Sequence, residues 1–285
     1  LNPEGTIEWR PAPENPVLPH LPVLRVTDAE GHIIALLFSV SCHPTSASGW
    51  QISAEHPGAA MRLLNERLNT EGAMFLQGCA GDTKARQIAD GPPDDTGRTS
   101  WRAGTLADIA AIGRQVANEV EGILRAGLTP VAPVAPRGAV GEAHLPLQAL
   151  PSRAHLEETA APANPNVLRR AWAIRQLQQL DHFGVLPETA PVLVQSLTLA
   201  AGVELLGLEG EVVSDIGHLI LAKRAGRICF PMGYSNGAGL YIPSERMMPH
   251  GGYEVDCAWI FGHAAPLATG FEAVLAGVIG AVGQD

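Results

Sequence analysis

The stretch IIALLFSVSCHPT at residues 33–45 decides the fold. Residues 33–41 are dense in β-branched and apolar side chains, which predicts a strand covered on both faces rather than one alternating between core and water. Pro44 has no amide hydrogen for a ladder, so pairing is expected to stop at His43. A histidine at the carboxyl end of a buried strand stands where α/β sheets bind their ligands. His43 therefore reads as a metal ligand, with the other functional residues converging on it.

Upstream, Val23–Thr27 and residues 33–41 flank the polar DAEGH at 28–32, where Gly31 can supply a positive φ, so this pair predicts a β-hairpin. Residues 1–22 are rich in proline and aperiodic, and read as an extended lead-in. Downstream, a polar loop at 46–55 precedes His56-Pro57-Gly58, which opens a helix to about Leu68; proline suits a first helical turn. Ala73–Gln77 predicts a short strand running into GCAGD at 78–82, and residues 83–104 read as a long polar loop of the kind that is usually functional. Leu106, Ile109, Gly113, Val116, Val120 and Ile123 mark the strongest amphipathic helix, closed by Gly127.

In the second half, prolines make residues 130–136 a connector ahead of a strand at 138–145, and 151–165 reads as loop. Residues 166–183 predict a helix closed by Gly184. Residues 192–200 and Val203–Leu208 predict strands about the turn Ala201-Gly202. The second strand runs into Glu209-Gly210-Glu211, followed by a helix at about 214–225, a short strand at 227–231 and the glycine-rich GYSNGAG at 233–239. Tyr241 and residues 251–253 fall in further loop, and 265–282 reads as a terminal helix. The pattern is that of an α/β protein with mixed β-sheets in layers covered by helices, with residues 1–285 as one domain.

Composition narrows the function classes. Of 285 residues 46% are apolar and 17% charged, which favours a folded core over disorder. A net charge of -10 argues against a nucleic-acid surface, which needs a basic stripe. No apolar run is long enough to cross a bilayer, and the start lacks a secretory-signal pattern. Cys42, Cys79, Cys229 and Cys257 are scattered without a CxxC pair, which argues against a thiolate zinc site. Polar residues stand at the exits of four predicted strands: His43, Gly81-Asp82, Glu211 and residues 236–241. Four such exits suggest one shared rim.

At these exits the chain resembles the neutral/alkaline, non-lysosomal ceramidases and their bacterial relatives. The matching pieces, in the family's order, are Cys42-His43-Pro44-Thr45, ISAEHPG at 52–58, FLQGCAGD at 75–82, GLEGE at 207–211, GYSNGAGLYIP at 233–243 and GGYE at 251–254. The resemblance implies a hydrolase domain acting on an amide bond of a lipid-like or other small substrate, with zinc as cofactor. It carries His43, Glu211 and Tyr241 over as metal ligands. It also implies a secreted or periplasmic location, since family members are often exported. Mixed nitrogen and oxygen ligands with an open position suit catalytic zinc.

Two departures accompany the match. The family's first zinc-binding histidine lies in a segment upstream of everything seen here, so the expectation is an N-terminally incomplete domain or an incomplete site. The family's nucleophilic serine falls on Lys84, in Gly81-Asp82-Thr83-Lys84-Ala85. A protonated lysine is no nucleophile, so zinc-activated water becomes the expected attacker, with Asp82 as orienting group or base. The alternative expectation is a non-catalytic ceramidase-like scaffold that binds a small molecule, sugar or lipid head group. A hydrolase using Cys79 or Thr83 would need a base that the sequence does not reveal.

Overall fold

The computed structural model describes residues 10–284 apart from 14 and 96, so most of the first half of the lead-in, residues 1–9, lies outside the described residues. The N-terminal half forms β1 (Val23–Thr27), β2 (Ile33–Val40), α1 (Glu55–Leu68), β3 (Ala73–Gln77) and α2 (Leu106–Ala126). β1 and β2 make the expected antiparallel hairpin, Val23 opposite Phe38, and β3 joins β2 in parallel with Leu36 opposite Ala73. α1 is the crossover that a parallel pair requires. It packs with α2 over this sheet, enclosing Leu36, Phe38, Leu64, Val116 and Val120. The helices approach closely because Gly113 has no side chain; a Cβ there would lie 2.5 Å from that of Ala59. On the other face Leu37 and Leu76 pack against Val203 and Phe230 of the second half. β2 is therefore covered on both faces over its second half, while Ile34 remains 59% exposed.

The second half runs β4 (Pro133–Pro146), α3 (Arg153–Ala160), α4 (Val167–Phe183), β5 (Thr189–Ala200), β6 (Val203–Leu208), β7 (Glu211–Val212), α5 (Ser214–Lys223), β8 (Ile228–Met232), β9 (Tyr241–Ile242), the helical turn α6 (Tyr253–Asp256) and α7 (Phe271–Ala281). The four-stranded sheet has the order β4-β5-β6-β8, with β6 and β8 parallel and the other pairs antiparallel. α5 and α7 supply Ile216, Ile220, Phe271, Leu275 and Ile279 to a core shared with Val194, Leu206 and Leu208.

Four expectations are corrected here. The proline-rich residues 133–137 belong to β4 and not to a connector, because β4 is an edge strand and its register shifts between Pro133 and Arg137. Residues 153–160, read as loop, form α3, N-capped by the Ser152 side chain, with Leu156 as its buried residue. Tyr241 is in a strand, β9, paired with β7, rather than in loop. The terminal helix begins only at Phe271, after Gly270 at φ 96°. Pro266 and Leu267 before it run alongside the end of β4, with Leu267 bridged to Leu147.

This topology positions the site. β2 and β3 are parallel, β6 and β8 are parallel, and the two pairs meet end to end where Gly78 bridges Met232. Gly81 then donates its amide to Val212 O at 2.8 Å. A Cβ on Gly81 would come within 3.0 Å of Val212, so glycine permits this approach. All four strand exits singled out in the sequence are carboxyl ends of these two parallel pairs, which is where open α/β sheets leave a crevice.

Candidate functional site

His43 follows β2, but the chain does not fall away into loop. Its amide donates to Thr83 O at 2.9 Å, and His43 and Lys84 form an isolated parallel bridge. Pairing stops at Pro44, as expected for a residue without a donor. Across the rim, Glu211 opens β7 and is the register partner of Tyr241 in β9. Gly210 makes this possible with φ 112°, since a Cβ there would lie 2.7 Å from Leu240 O.

The imidazole and the carboxylate meet: His43 Nε2 is 3.0 Å from Glu211 Oε1, and both side chains are about a fifth to a quarter exposed. Tyr241, the register partner of Glu211, donates its hydroxyl to Gly81 O, and the Glu211 charge acts on that hydroxyl. The structure thus brings together His43, Glu211 and Tyr241, the three residues expected to hold metal. Burial works to raise the Glu211 pKa, but hydrogen bonds from His43 and Tyr234 outweigh it and hold the carboxyl below its ordinary range. Burial, with Glu211 beside them, pushes both tyrosine hydroxyls up, so they are neutral donors.

Tyr234 was not singled out in the sequence. Its hydroxyl lies 3.4 Å from His43 Nδ1 and also hydrogen-bonds Glu211. The one signal available was an aromatic inside the glycine-rich run after β8; its left-handed backbone, φ 55°, is not readable from residue type. Glu254 was quoted only as part of a motif. Burial pushes its carboxyl up, and the negative charges of Asp82 and Glu211 add to this. Tyr253 stacks edge-on against Tyr241 with centroids 5.7 Å apart.

Asp82 is turned toward the start of α5. Its Oδ1 accepts from the Ser214 amide at 2.8 Å and the Ser214 hydroxyl at 2.6 Å, satisfying a donor at a helix N-terminus. Lys84 is half-buried, not solvated: its ammonium lies over the Trp101 ring, 5.3 Å from the centroid. Burial holds its pKa below the ordinary lysine range. Cys79 is fully buried and its thiol is pushed up by desolvation, while Cys42 is pushed up to about 11. A nucleophilic thiol needs the opposite shift. Residues 83–104 are not a featureless loop. They fold back on themselves, with Ala89 N to Ser100 O at 2.8 Å, Arg102 N to Gln87 O at 2.9 Å and Ile88 bridged to Trp101.

Among the described residues no three His, Cys, Asp or Glu side chains cluster as a metal site, so any metal here would need the Tyr241 phenol as a donor. Among solved structures, the chain is similar to the neutral ceramidase from Pseudomonas aeruginosa, with a TM-score of 0.57 over 91% of this chain and 16% sequence identity. The chain spans 46% of the length of that protein. No protein-family model and no curated protein matches the chain. The fold is a mixed α/β, ceramidase-like fold; a likeness at this identity concerns the fold alone.

Proposed function

We propose that this protein is a zinc-dependent hydrolase built on the ceramidase-like fold, cleaving an amide or related bond of a small or lipid-like substrate. The observation that supports it is the convergence of three separate segments, with His43 Nε2 at 3.0 Å from Glu211 Oε1 and Tyr241 the register partner of Glu211 on the neighbouring strand. Two ligands each about 2.0 Å from a tetrahedral ion stand roughly 3.3 Å apart, so this pair fits a shared metal with little movement. Imidazole, carboxylate and phenol oxygen suit zinc, and three protein donors leave a position for substrate.

His43, Glu211 and Tyr241 would hold the ion. Zinc bound there supplies Lewis-acid polarisation of a carbonyl and activation of water. The residues around it do the positioning. Tyr234 at Nδ1 orients the His43 ring and leaves Nε2 facing the site. Glu254, its carboxyl pushed up by burial, is suited to hand a proton to a departing amine. Asp82 is the orienting carboxylate: it is fixed by Ser214, and its charge adds to the burial that raises the Glu254 carboxyl.

A second reading, the non-catalytic scaffold binding a small molecule, sugar or lipid head group, is favoured by one observation. The candidate ligand set contains a single histidine, and no larger His/Cys/Asp/Glu cluster exists among the described residues. Elemental analysis of the purified protein after zinc supplementation separates the two. About one zinc per chain, lost in Glu211→Ala, is the expected result. A wild-type protein that takes up no zinc overturns the hydrolase reading and leaves the binding one.

A further inference from the structure

We propose that the loop at residues 46–54 seats this protein on an electrically neutral phospholipid surface, with Trp50 and Ile52 as the inserted side chains. Such a seat gives the hydrolase reading above a source of lipid-like substrate, and it rests on that reading for its purpose alone.

Trp50 and Ile52 are 104% and 106% exposed, so no neighbouring residue shades either side chain. The loop that carries them is nonetheless anchored. The two Glu55 carboxylate oxygens accept the Ser46 and Ala47 amides at 2.9 Å each, and Ser53 Oγ accepts the Glu55 amide at 2.9 Å. Gln87 donates to Ser46 O, and the Ser48 amide reaches Gly104 O at 3.4 Å. A Cβ on Gly104 would lie 1.6 Å from Ser46 O, so the two segments touch backbone to backbone. A clasped base with a bare apolar tip loses little freedom on seating. Ser46 follows His43 by three residues, and Gln87 belongs to the segment whose Lys84 bridges to His43. The loop therefore starts on the rim that carries the candidate site.

Area and charge identify the occupant. A stable protein partner covers about 800 Å² on each side, and one indole with one aliphatic chain offers roughly half of that. This is too little for a second copy or a folded protein partner. A lipid surface accepts a convex apolar tip, and an indole suits the headgroup level, with its ring toward the acyl chains and its N–H among polar groups. From Pro44 to Ala54 no side chain carries a charge, so insertion strips no ion of its water. The net charge of -10 repels an anionic membrane, which selects a zwitterionic one.

The test is flotation of the full chain with vesicles of pure phosphatidylcholine and of an equal phosphatidylcholine–phosphatidylserine mixture. It compares wild type, the double variant Trp50→Ser with Ile52→Ser, Val140→Ser and Glu211→Ala. Wild type is expected to float with the neutral vesicles and less with the mixed ones. The double variant is expected to bind about tenfold less tightly, the scale of leaving two half-inserted apolar side chains in water. Its urea midpoint should not change, because neither side chain is covered by the fold. Val140, 68% exposed on the edge strand β4, is an apolar side chain elsewhere, and Val140→Ser should leave vesicle binding intact. Wild type that does not float, a double variant that floats like wild type, an equal loss in Val140→Ser, or a preference for the mixed vesicles overturns the proposal. A dimer abolished by the double variant, with no flotation, assigns the tip to a second copy and overturns it too. Glu211→Ala should float like wild type whatever its zinc content. Vesicle binding by a wild type that takes up no zinc sinks the metal reading alone, and zinc uptake without vesicle binding sinks this one alone.

Discussion

Two glutamates of the second half each meet basic side chains, and the contrast between them separates architecture from chemistry. Glu204, in β6, is fully buried; Arg224 faces it at 3.5 Å with its own side chain 1% exposed, and Arg227 reaches it at 3.0 Å. Ser196 donates to the same carboxylate, and Arg224 donates to Val282 O past the end of α7. This pair fastens the carboxyl ends of α5 and α7 to the sheet. Glu211, seven residues on in the chain, meets His43 at 3.0 Å with both side chains open to solvent on a rim. Sealed charges can hold elements together but cannot meet a ligand. A half-open pair can do both. Accessibility, not the presence of an ion pair, marks the candidate site.

The largest expected effect breaks the sealed pair. Glu204→Leu leaves the Arg224 guanidinium buried without its carboxylate, which costs about 3–5 kcal/mol. Glu211→Gln, in the same urea titration of metal-free protein, should cost about 1 kcal/mol or less, because amide oxygen still accepts and water reaches the group. Similar losses in the two variants would erase the distinction drawn above. A double variant, Glu204→Leu with Arg224→Met, should recover much of the loss, since a well-packed apolar pair can replace a buried ionic one.

How much of this was legible beforehand follows the same divide. The buried run of β2, the β5–β6 hairpin about Gly202 and the α4 end at Gly184 came through because local chemistry decides them. β4 did not, since Pro133 and Pro136 are breakers locally and tolerable only on an edge, which is a tertiary fact. α3 was missed because, with Leu156 its one buried residue, it offered no apolar periodicity. His43, Glu211 and Tyr241 were readable from strand exits and motifs, and their meeting follows from parallel strands sharing a carboxyl edge. Tyr234 and Glu254 were not, because a positive φ and the burial of one carboxyl depend on packing between distant segments.

Smaller effects sharpen the comparison at α5, whose first turn is tied down through two acids, Asp82 bound to Ser214 and Asp215 bound to Ser244 and Arg246. Asp82→Ala removes an acceptor from both the Ser214 amide and hydroxyl. A cap of this kind is worth about 1 kcal/mol, with 2 as a high value. The loss should appear in thermal unfolding of metal-free and zinc-supplemented protein alike. A loss of zinc uptake with no change in metal-free stability would instead make Asp82 part of the site first and of the helix second.

Asp215 is the weaker of the two and carries the pH dependence. Burial works to raise its pKa. Hydrogen bonds from Ser244 Oγ at 2.6 Å and Arg246 Nε at 2.9 Å, with the Arg246 charge, outweigh this and hold the carboxyl below the ordinary aspartate range. A carboxyl whose folded pKa is depressed stabilises the protein above its unfolded pKa, and that contribution is lost as pH falls through the folded value. Asp215→Asn should therefore cost less than about 1 kcal/mol at pH 7, given a partly exposed pair. The difference from wild type should shrink below the ordinary aspartate range. Urea titrations at neutral pH and at successively lower pH read this directly. A gap that widens on acidification would mean that burial dominates at Asp215, and that Arg246 and Ser244 shield the carboxylate without stabilising it.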